Sequence, residues 1–535
     1  MLDIISKMQI FKNEIHSKIY FWSLVLLVMS IPLSEFMMSF SQIILLLNWI
    51  LEGNFSKKLS ILKNRKSLLI FISIFAVHLI GIIYSDNISY WFKDVRNKLP
   101  LLIIPLIIGT SESLSLKNIK TIFIFFYLAL LAGTFASLGV VFGFIETDYK
   151  TFRDISVFIS HIRFALLLNV GIFSLFYFSR LKNEILSKFE KIYFRIFIIW
   201  FTIFLFILNS LTGIIILIII TLSIFIYNFF HKSKLIVKIA FLSIAFISIS
   251  APIYYISNIY NDFYGNIETN LQNLETQTAQ GNYYYHDTLH LDIENGNYTN
   301  IYVCEKEMQT EWNKRSIIAY KEKDKRGNDI RFTLRRYLTS KGLRKDAQGV
   351  DSLNTKDIDA IERGIANHLY IKKSKLYKRI HQTIWEIDSY LRGGNPTGHS
   401  LVQRVEFLKT SFGIISENFW IGVGNGDIMD EFETYYQKSN TRLEESSRLK
   451  SHNQLVLFFV AFGIIGFLYI LFAIFAPFII EKPKLNLLFK IFLTIAIFSM
   501  LNEDTLETQA GVTFFAFFYS LLLFGYKNSD AKNLN

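Results

Sequence analysis

Two stretches of the chain, 196–208 and 214–230, contain no charged residue at all. Exposed to water, each would leave a full helix length of hydrocarbon unshielded, so the sequence demands lipid as its solvent. Apolar windows of this kind recur near 19–34, 36–52, 67–84, 99–110, 119–145, 159–179, 192–208, 211–230, 237–257, 464–480, 487–501 and 512–526. Inside hydrocarbon only a helix or a closed barrel satisfies every backbone amide, and runs of roughly 15–22 apolar residues match the helix. The expected fold class is therefore an all-α polytopic membrane protein with about twelve transmembrane helices. At 52% hydrophobic and 16% aromatic residues over 535 positions, the composition is too apolar for a string of soluble domains. Pro100 and Pro105 punctuate the shortest window, where a kink or half-span is expected. The first apolar run lacks a small-residue cleavage site after it and reads as a retained span.

A formal charge of +12 invites a nucleic-acid reading, but its distribution argues against one. The cations cluster in short connections between apolar runs, as expected of loops held in the cytoplasm. Lys57, Lys58, Lys63, Arg65 and Lys66 share one connection, and Arg180, Lys182, Lys188, Lys191 and Arg195 surround another. Lys232, Lys234 and Lys238, then Lys482 and Lys484, fall on the same side, as do both termini. The opposing loop 85–98 carries Lys93, Arg96 and Lys98 beside Asp86 and Asp94. This gives four expected regions: nine spans in 1–257, a large extracytoplasmic domain in 258–451 between the ninth and tenth spans, a re-entrant segment with three spans in 452–526, and a cytoplasmic tail in 527–535. Cys304 is the only cysteine, so neither an internal disulfide nor a cysteine metal cluster is expected.

The 258–451 segment is rich in Asn, Tyr, Lys, Glu and Asp. Helical spacing is visible in 355–392, through Ile358, Ile361, Ile365, Leu369, Leu376, Ile380 and Ile384, and again in 401–416. Strand-like alternation occupies 287–303. The densest polar constellation comes late: Gly394-Asn395-Pro396-Thr397-Gly398-His399-Ser400, then Gln403-Arg404, then Trp420-Ile421-Gly422-Val423-Gly424-Asn425-Gly426-Asp427, closing with Arg448-Leu449-Lys450-Ser451-His452-Asn453-Gln454 and Gly463-Ile464-Ile465-Gly466.

That pattern resembles the O-antigen ligase and O-antigen polymerase superfamily, in which an arginine precedes a Gly-x-Gly turn and a His-Asn pair precedes a Gly-x-x-Gly span. The resemblance is specific over 394–470 and architectural over the earlier spans; 285–392 matches no shared motif, although 337–346 looks like family members from Bacteroidetes-type bacteria. It implies an enzyme of the bacterial inner membrane with a periplasmic loop. Such an enzyme moves a glycan from undecaprenyl pyrophosphate to a hydroxyl of lipid A-core by a metal-independent inverting displacement, with no cofactor. Close alternatives use the same donor and differ in acceptor: a polymerase joining repeat units, or an oligosaccharyltransferase acting on Ser or Thr of exported proteins. The partners implied are that lipid-linked donor, a glycan or protein acceptor and the bilayer, with no nucleic acid.

The chemistry of such a transfer assigns roles to these residues. Breaking a glycosyl–phosphate bond frees a diphosphate, which a planar guanidinium neutralises best, and the acceptor hydroxyl needs a base. The resemblance places His452 as that base and Arg404 as the clamp, with Asn453, Arg448, Gly422 and Gly424 around the substrates. An interfacial histidine satisfied by water and an ordinary surface arginine are the plain alternatives. Arg163, at the outer end of the sixth window, is either a second phosphate ligand or a snorkelling side chain. The family commonly has Ser-Arg where this chain has Ser210-Leu211, which leaves Arg163 as one candidate source of the missing charge. The Gly422-Val423-Gly424-Asn425-Gly426 run evokes a dinucleotide loop but lacks a βαβ setting. It is expected instead to lead into a helix near Asp427, which either caps that helix or leaves its N-terminus for phosphate. His286 and His290 would ligate a metal only if helical, and no metal site is expected. Glu503 and Asp504 either pair with an arginine or line a solvated loop. A transporter is the reading from another class; it would need ionisable groups at the bilayer midplane, and only His78 lies mid-window in the first half.

Overall fold

The computed structural model describes residues 2–146, 154–180, 187–232, 235–265, 270–483 and 485–526. Lys182, Lys234, Lys484 and the 527–535 tail lie outside the described residues. Each of the twelve apolar windows falls on a helix. Among the described residues six helical segments are long and apolar enough to cross a membrane: Glu14–Leu33, Glu35–Glu52, Lys66–Tyr84, Leu116–Val141, His161–Ser179 and Gln454–Glu481. Leu211–Tyr227, Asn486–Asn502 and Gln509–Leu523 are shorter apolar helices. The chain is a multi-pass, mostly helical protein and divides into two units.

The first unit comprises Met1–His231, Phe407–Ser439 and Leu449–Asn535. Its innermost helix is Gln509–Leu523, whose residues are buried from Ala510 to Leu523 without a break. A helix apolar all round packs on every side. Here aromatic rings do the packing: Phe71 stacks on Tyr519 at 3.9 Å, and Phe492 meets Phe514, Phe515 and Phe518. By contrast, Lys188–Ile207 leaves Ile196, Ile199, Ile203 and Phe206 exposed, a stripe at helical spacing suited to hydrocarbon. At one end of the unit Arg65 gathers three helix termini. It holds Glu481 with two nitrogens, Nε at 2.6 Å and Nη2 at 3.1 Å, and donates to the Gly109 and Phe524 carbonyls.

The segment 85–98 is a correction to the loop expected there. It contains the helix Ile88–Lys98, capped by Asn87, which accepts from the Tyr90 amide. Its polar face is buried rather than solvated: Lys98 is 0% exposed and Asp94 is 7% exposed. Pro100 then starts the helix Pro100–Thr110 at a position where its missing N–H has no consequence.

The second unit comprises Lys232–Glu406 and Asn440–Arg448. Short helices surround a core of Met308, Trp312, Leu334, Tyr337, Val350 and Ile361. The periodic 355–392 stretch forms three helices, Thr355–Glu362, Leu369–Lys372 and Lys375–Leu391. Gly364, at φ +75°, ends the first, and Ser374 caps the third through the Tyr377 amide. In 287–303 the alternation resolves to a minimal antiparallel pair, Ile293–Glu294 with Asn297–Tyr298. The Asn295-Gly296 turn between them has φ of +48° and +75°, the left-handed pair that a two-residue hairpin requires.

Candidate active site

The segment bearing the predicted base begins with a broken helix. Gln454–Glu481 is one run of helix interrupted at Gly463, whose φ/ψ of 59°/−171° is not helical. A kink strands backbone groups that a continuous helix would pair, and the glycine turn occupies the gap. Val423 and Gly424 donate their amides to the Val460 and Ala461 carbonyls at 3.0 and 2.9 Å. In return the Ile464 amide donates to the Phe419 carbonyl at 2.8 Å. The contact tolerates no side chains: a Cβ on Gly422 would lie 2.5 Å from backbone atoms of Val460, Ala461 and Gly463, and one on Gly463 would lie 2.3 Å from the Trp420 carbonyl carbon. Gly422 and Gly424 are thus placed by backbone packing, with φ of +72° and +89°.

Asp427 does not cap its helix with its side chain. Ile428–Lys438 starts without a side-chain cap, and the Asp427 carboxylate instead accepts from the Asp86 and Asn87 amides at 2.8 and 2.7 Å.

At the N-terminus of the broken helix, Asn453 is the cap. Its Oδ1 accepts from the Leu455 and Val456 amides at 3.0 and 3.1 Å, and its Nδ2 donates to the Leu501 carbonyl at 3.0 Å. His452, one residue earlier, is held in the left-handed region at φ +49°, which non-glycine residues rarely adopt. Its Nδ1 lies 3.7 Å from Asp504 Oδ1, and its ring packs on Phe407 at 5.7 Å. Burial pushes the Asp504 carboxyl up, but His452 and Lys450 outweigh it and hold the group below the ordinary carboxylate range. Glu503 completes the cluster. Single donor atoms of His452, Glu503 and Asp504 lie within 4.8 Å of one another, an imidazole and two carboxylates that also form a donor set suited to a divalent cation.

Directly beneath runs a buried chain of charges that motif reading missed. His78 Nδ1 bonds Asp94 Oδ2 at 2.9 Å; Lys98 Nζ donates to Asp94 Oδ1 at 2.7 Å and Glu507 Oε1 at 3.2 Å; Lys450 Nζ reaches Glu507 Oε2 at 3.1 Å. Asn425, from the glycine turn, donates to Asp94 at 2.7 Å, and Gln454 binds Glu507 and the Leu506 amide. Two lysines and two carboxylates balance around a histidine. Burial alone would neutralise each of these charges, yet the opposite charges win: Asp94 and Glu507 are held low, and Lys98 and Lys450 are held high. His78 therefore belongs to this network, placed in the last turn of Lys66–Ile80 and inside the apolar segment Lys66–Tyr84. The available signal was the four-residue spacing of Asp94 and Lys98, one helix face carrying both signs.

The first unit thus gathers His452, Asn453, Gly422 and Gly424. Arg163, third residue of His161–Ser179, lines a small cavity with Thr505 and Gly511, beside the turn that carries Asp504. Arg404 is exposed on the helix Ser400–Glu417, and Arg404 and Arg448 are both counted in the second unit. His286 and His290 are engaged locally. Both His286 ring nitrogens bond backbone, Nε2 with the Glu275 carbonyl and Nδ1 with the Tyr302 amide, and His290 bonds Asp287.

Residues 364–471 match the family model described as O-antigen ligase. The chain carries an O-antigen ligase domain. No curated protein matches it. The O-antigen ligase domain takes in Arg404, the glycine turn, Arg448, His452, Asn453 and the kink, which supports a function of the ligase or polymerase type. Asp94, Lys98, Asp504, Glu507 and Arg163, which surround or underlie the histidine, come from outside the matched span.

Proposed function

We propose that this protein is a glycosyltransferase of the O-antigen ligase type, working on the periplasmic face of the bacterial inner membrane with both termini in the cytoplasm. It transfers a glycan from undecaprenyl pyrophosphate to a hydroxyl of lipid A-core. The observation that carries the reading is His452: it sits within the O-antigen ligase domain, in a strained backbone conformation, with Asp504 on its Nδ1 side. That arrangement leaves Nε2 for the acceptor. As the acceptor oxygen attacks the anomeric carbon, its proton passes to Nε2, the new carbon–oxygen bond forms, and the sugar–phosphate bond breaks. Undecaprenyl diphosphate departs with the electron pair. Arg404 clamps its charge, with Arg448 and Arg163 assisting, and guanidinium suits this task because it binds phosphate oxygens through two donors and stays protonated. Asp504 steadies the imidazolium formed along the way.

The test uses purified full-length protein in lipid nanodiscs with a lipid-linked glycan and core acceptors. His452→Ala should lose about 10²–10⁴-fold in transfer, the contribution typical of a positioned base, while its melting profile stays close to that of the unaltered protein. Transfer should persist in chelator. Undiminished transfer by the alanine variant would refute the role of His452. Transfer only to a second repeat unit, or to a protein hydroxyl, would reassign the acceptor while leaving the donor chemistry intact.

A further inference from the structure

The second unit contains a cleft of about 1170 Å³, lined wholly by residues between Tyr285 and His399. Half of that lining precedes the O-antigen ligase domain, and the other half lies in its first thirty-six residues, 364–399. The volume exceeds the ~300–1,000 Å³ of a small-molecule pocket, so its occupant is extended. Three features describe that occupant.

Charge comes first. Arg326, Lys375, Lys378 and Arg379 line the cleft, and among the described residues no carboxylate pairs with any of them. Arg335 also faces it and binds Glu305 at 2.7 Å, but its buried Nε has no acceptor among the described residues. The acids in the lining are differently placed. Asp287 is bound to His290, Asp329 lies 3.1 Å from Arg331, and burial raises the Asp292 carboxyl toward its neutral form. The charge left uncompensated is positive.

Flat apolar surface comes second. Trp385, Tyr370, Phe332 and Tyr285 share the wall. The Arg336 guanidinium lies 3.8 Å above the Trp385 ring, and His399 meets that ring edge-on at 5.4 Å, so the indole is fixed in place. Rigid rings of this kind pack against the C–H faces of sugars. Third, Gln382 and the side-chain carbonyl of Asn328, whose amide nitrogen is held by Asp324, offer neutral polar atoms suited to hydroxyl groups.

We infer that this cleft binds an acidic oligosaccharide, sugar rings bearing carboxylate or phosphate substituents. A polyanion without rings would use the cations and ignore the aromatic wall; a neutral glycan would use the wall and leave these four cations without counterions. This inference does not depend on the catalytic assignment of His452.

Full-length protein in nanodiscs, titrated with hexagalacturonate by calorimetry, tests it. Binding should weaken at least about tenfold in Lys378→Gln/Arg379→Gln, and similarly in Trp385→Ala. The charge-conserving exchange Lys378→Arg/Arg379→Lys should retain binding, which separates lost recognition from lost folding. Lys321→Gln/Lys323→Gln, outside the lining, should bind normally. Equal binding of maltohexaose would overturn the inference, as would unchanged affinity in the Gln pair, or polyphosphate binding as tightly as the uronate. His452→Ala should bind hexagalacturonate normally while losing transfer, so failure of one reading leaves the other measurable.

Discussion

Lys98→Met would put an uncharged side chain of similar length where the buried charge chain needs its cation. Lys98 is fully enclosed, 2.7 Å from Asp94 and 3.2 Å from Glu507. At an effective dielectric constant near 20, those contacts are worth about 6 and about 5 kcal/mol of gross Coulomb attraction, most of it offset by the desolvation of the ions themselves. The net loss from deleting one member of such a set is about 3–5 kcal/mol, because Asp94 is then left without a lysine while Glu507 keeps only Lys450. The loss should be specific to charge. Adding Asp94→Asn restores neutrality, leaving Glu507 with Lys450, and should return most of the lost stability despite removing a second native contact. The assay is unfolding of detergent-solubilised protein by denaturant titration, run as a double-mutant cycle. If Lys98→Met alone falls within about 1 kcal/mol of the parent, or if the double variant is no more stable than the single one, the buried lysine is not the counterion described here.

Gly422→Ala sets a Cβ 2.5 Å from backbone on the kinked helix at a φ of +72°, so about 3 kcal/mol of stability should be lost; Gly143→Ala, at φ +75° with nothing within 4 Å, should lose only about 1 kcal/mol, and equal losses would deny the close approach. Asp504→Asn should lower transfer about tenfold and also probes pH. The folded carboxyl is held low, so its contribution to stability is complete above the unfolded value of about 3.9 and disappears as pH falls through the folded value. Melting temperatures of parent and variant should therefore differ at neutral pH and converge as the pH falls below the range in which the folded carboxyl titrates, and a constant gap would contradict the assigned ion pair.

Hydropathy alone located the long helices because burial in lipid depends on composition: the 36–52 and 487–501 windows meet helices Glu35–Glu52 and Asn486–Asn502. The same criterion passes over Ile88–Lys98, which is charged and short. Its helix is stabilised by Glu507, Lys450 and Asn425, all distant in the chain, and local pattern carries no record of them. Helical period extended 355–392 too far because the apolar spacing persists across Gly364, where the backbone turns left-handed. At the site, His452 and Asn453 stood out through residue order. Asp504 was visible only as a possible ion-pair member, since its pairing with the histidine spans a whole helical hairpin. The Asn295-Gly296 dipeptide was a hairpin signal that broad alternation obscured.

The pairing of Lys98 with Glu507 joins residues 409 positions apart. During synthesis the early helices reach the membrane long before that carboxylate exists, and the innermost helix, Gln509–Leu523, follows it. The centre of the helical bundle is therefore completed only after the intervening second unit has been made. Until then its lysine waits with a single carboxylate, Asp94, in an open bundle whose charges are not yet balanced.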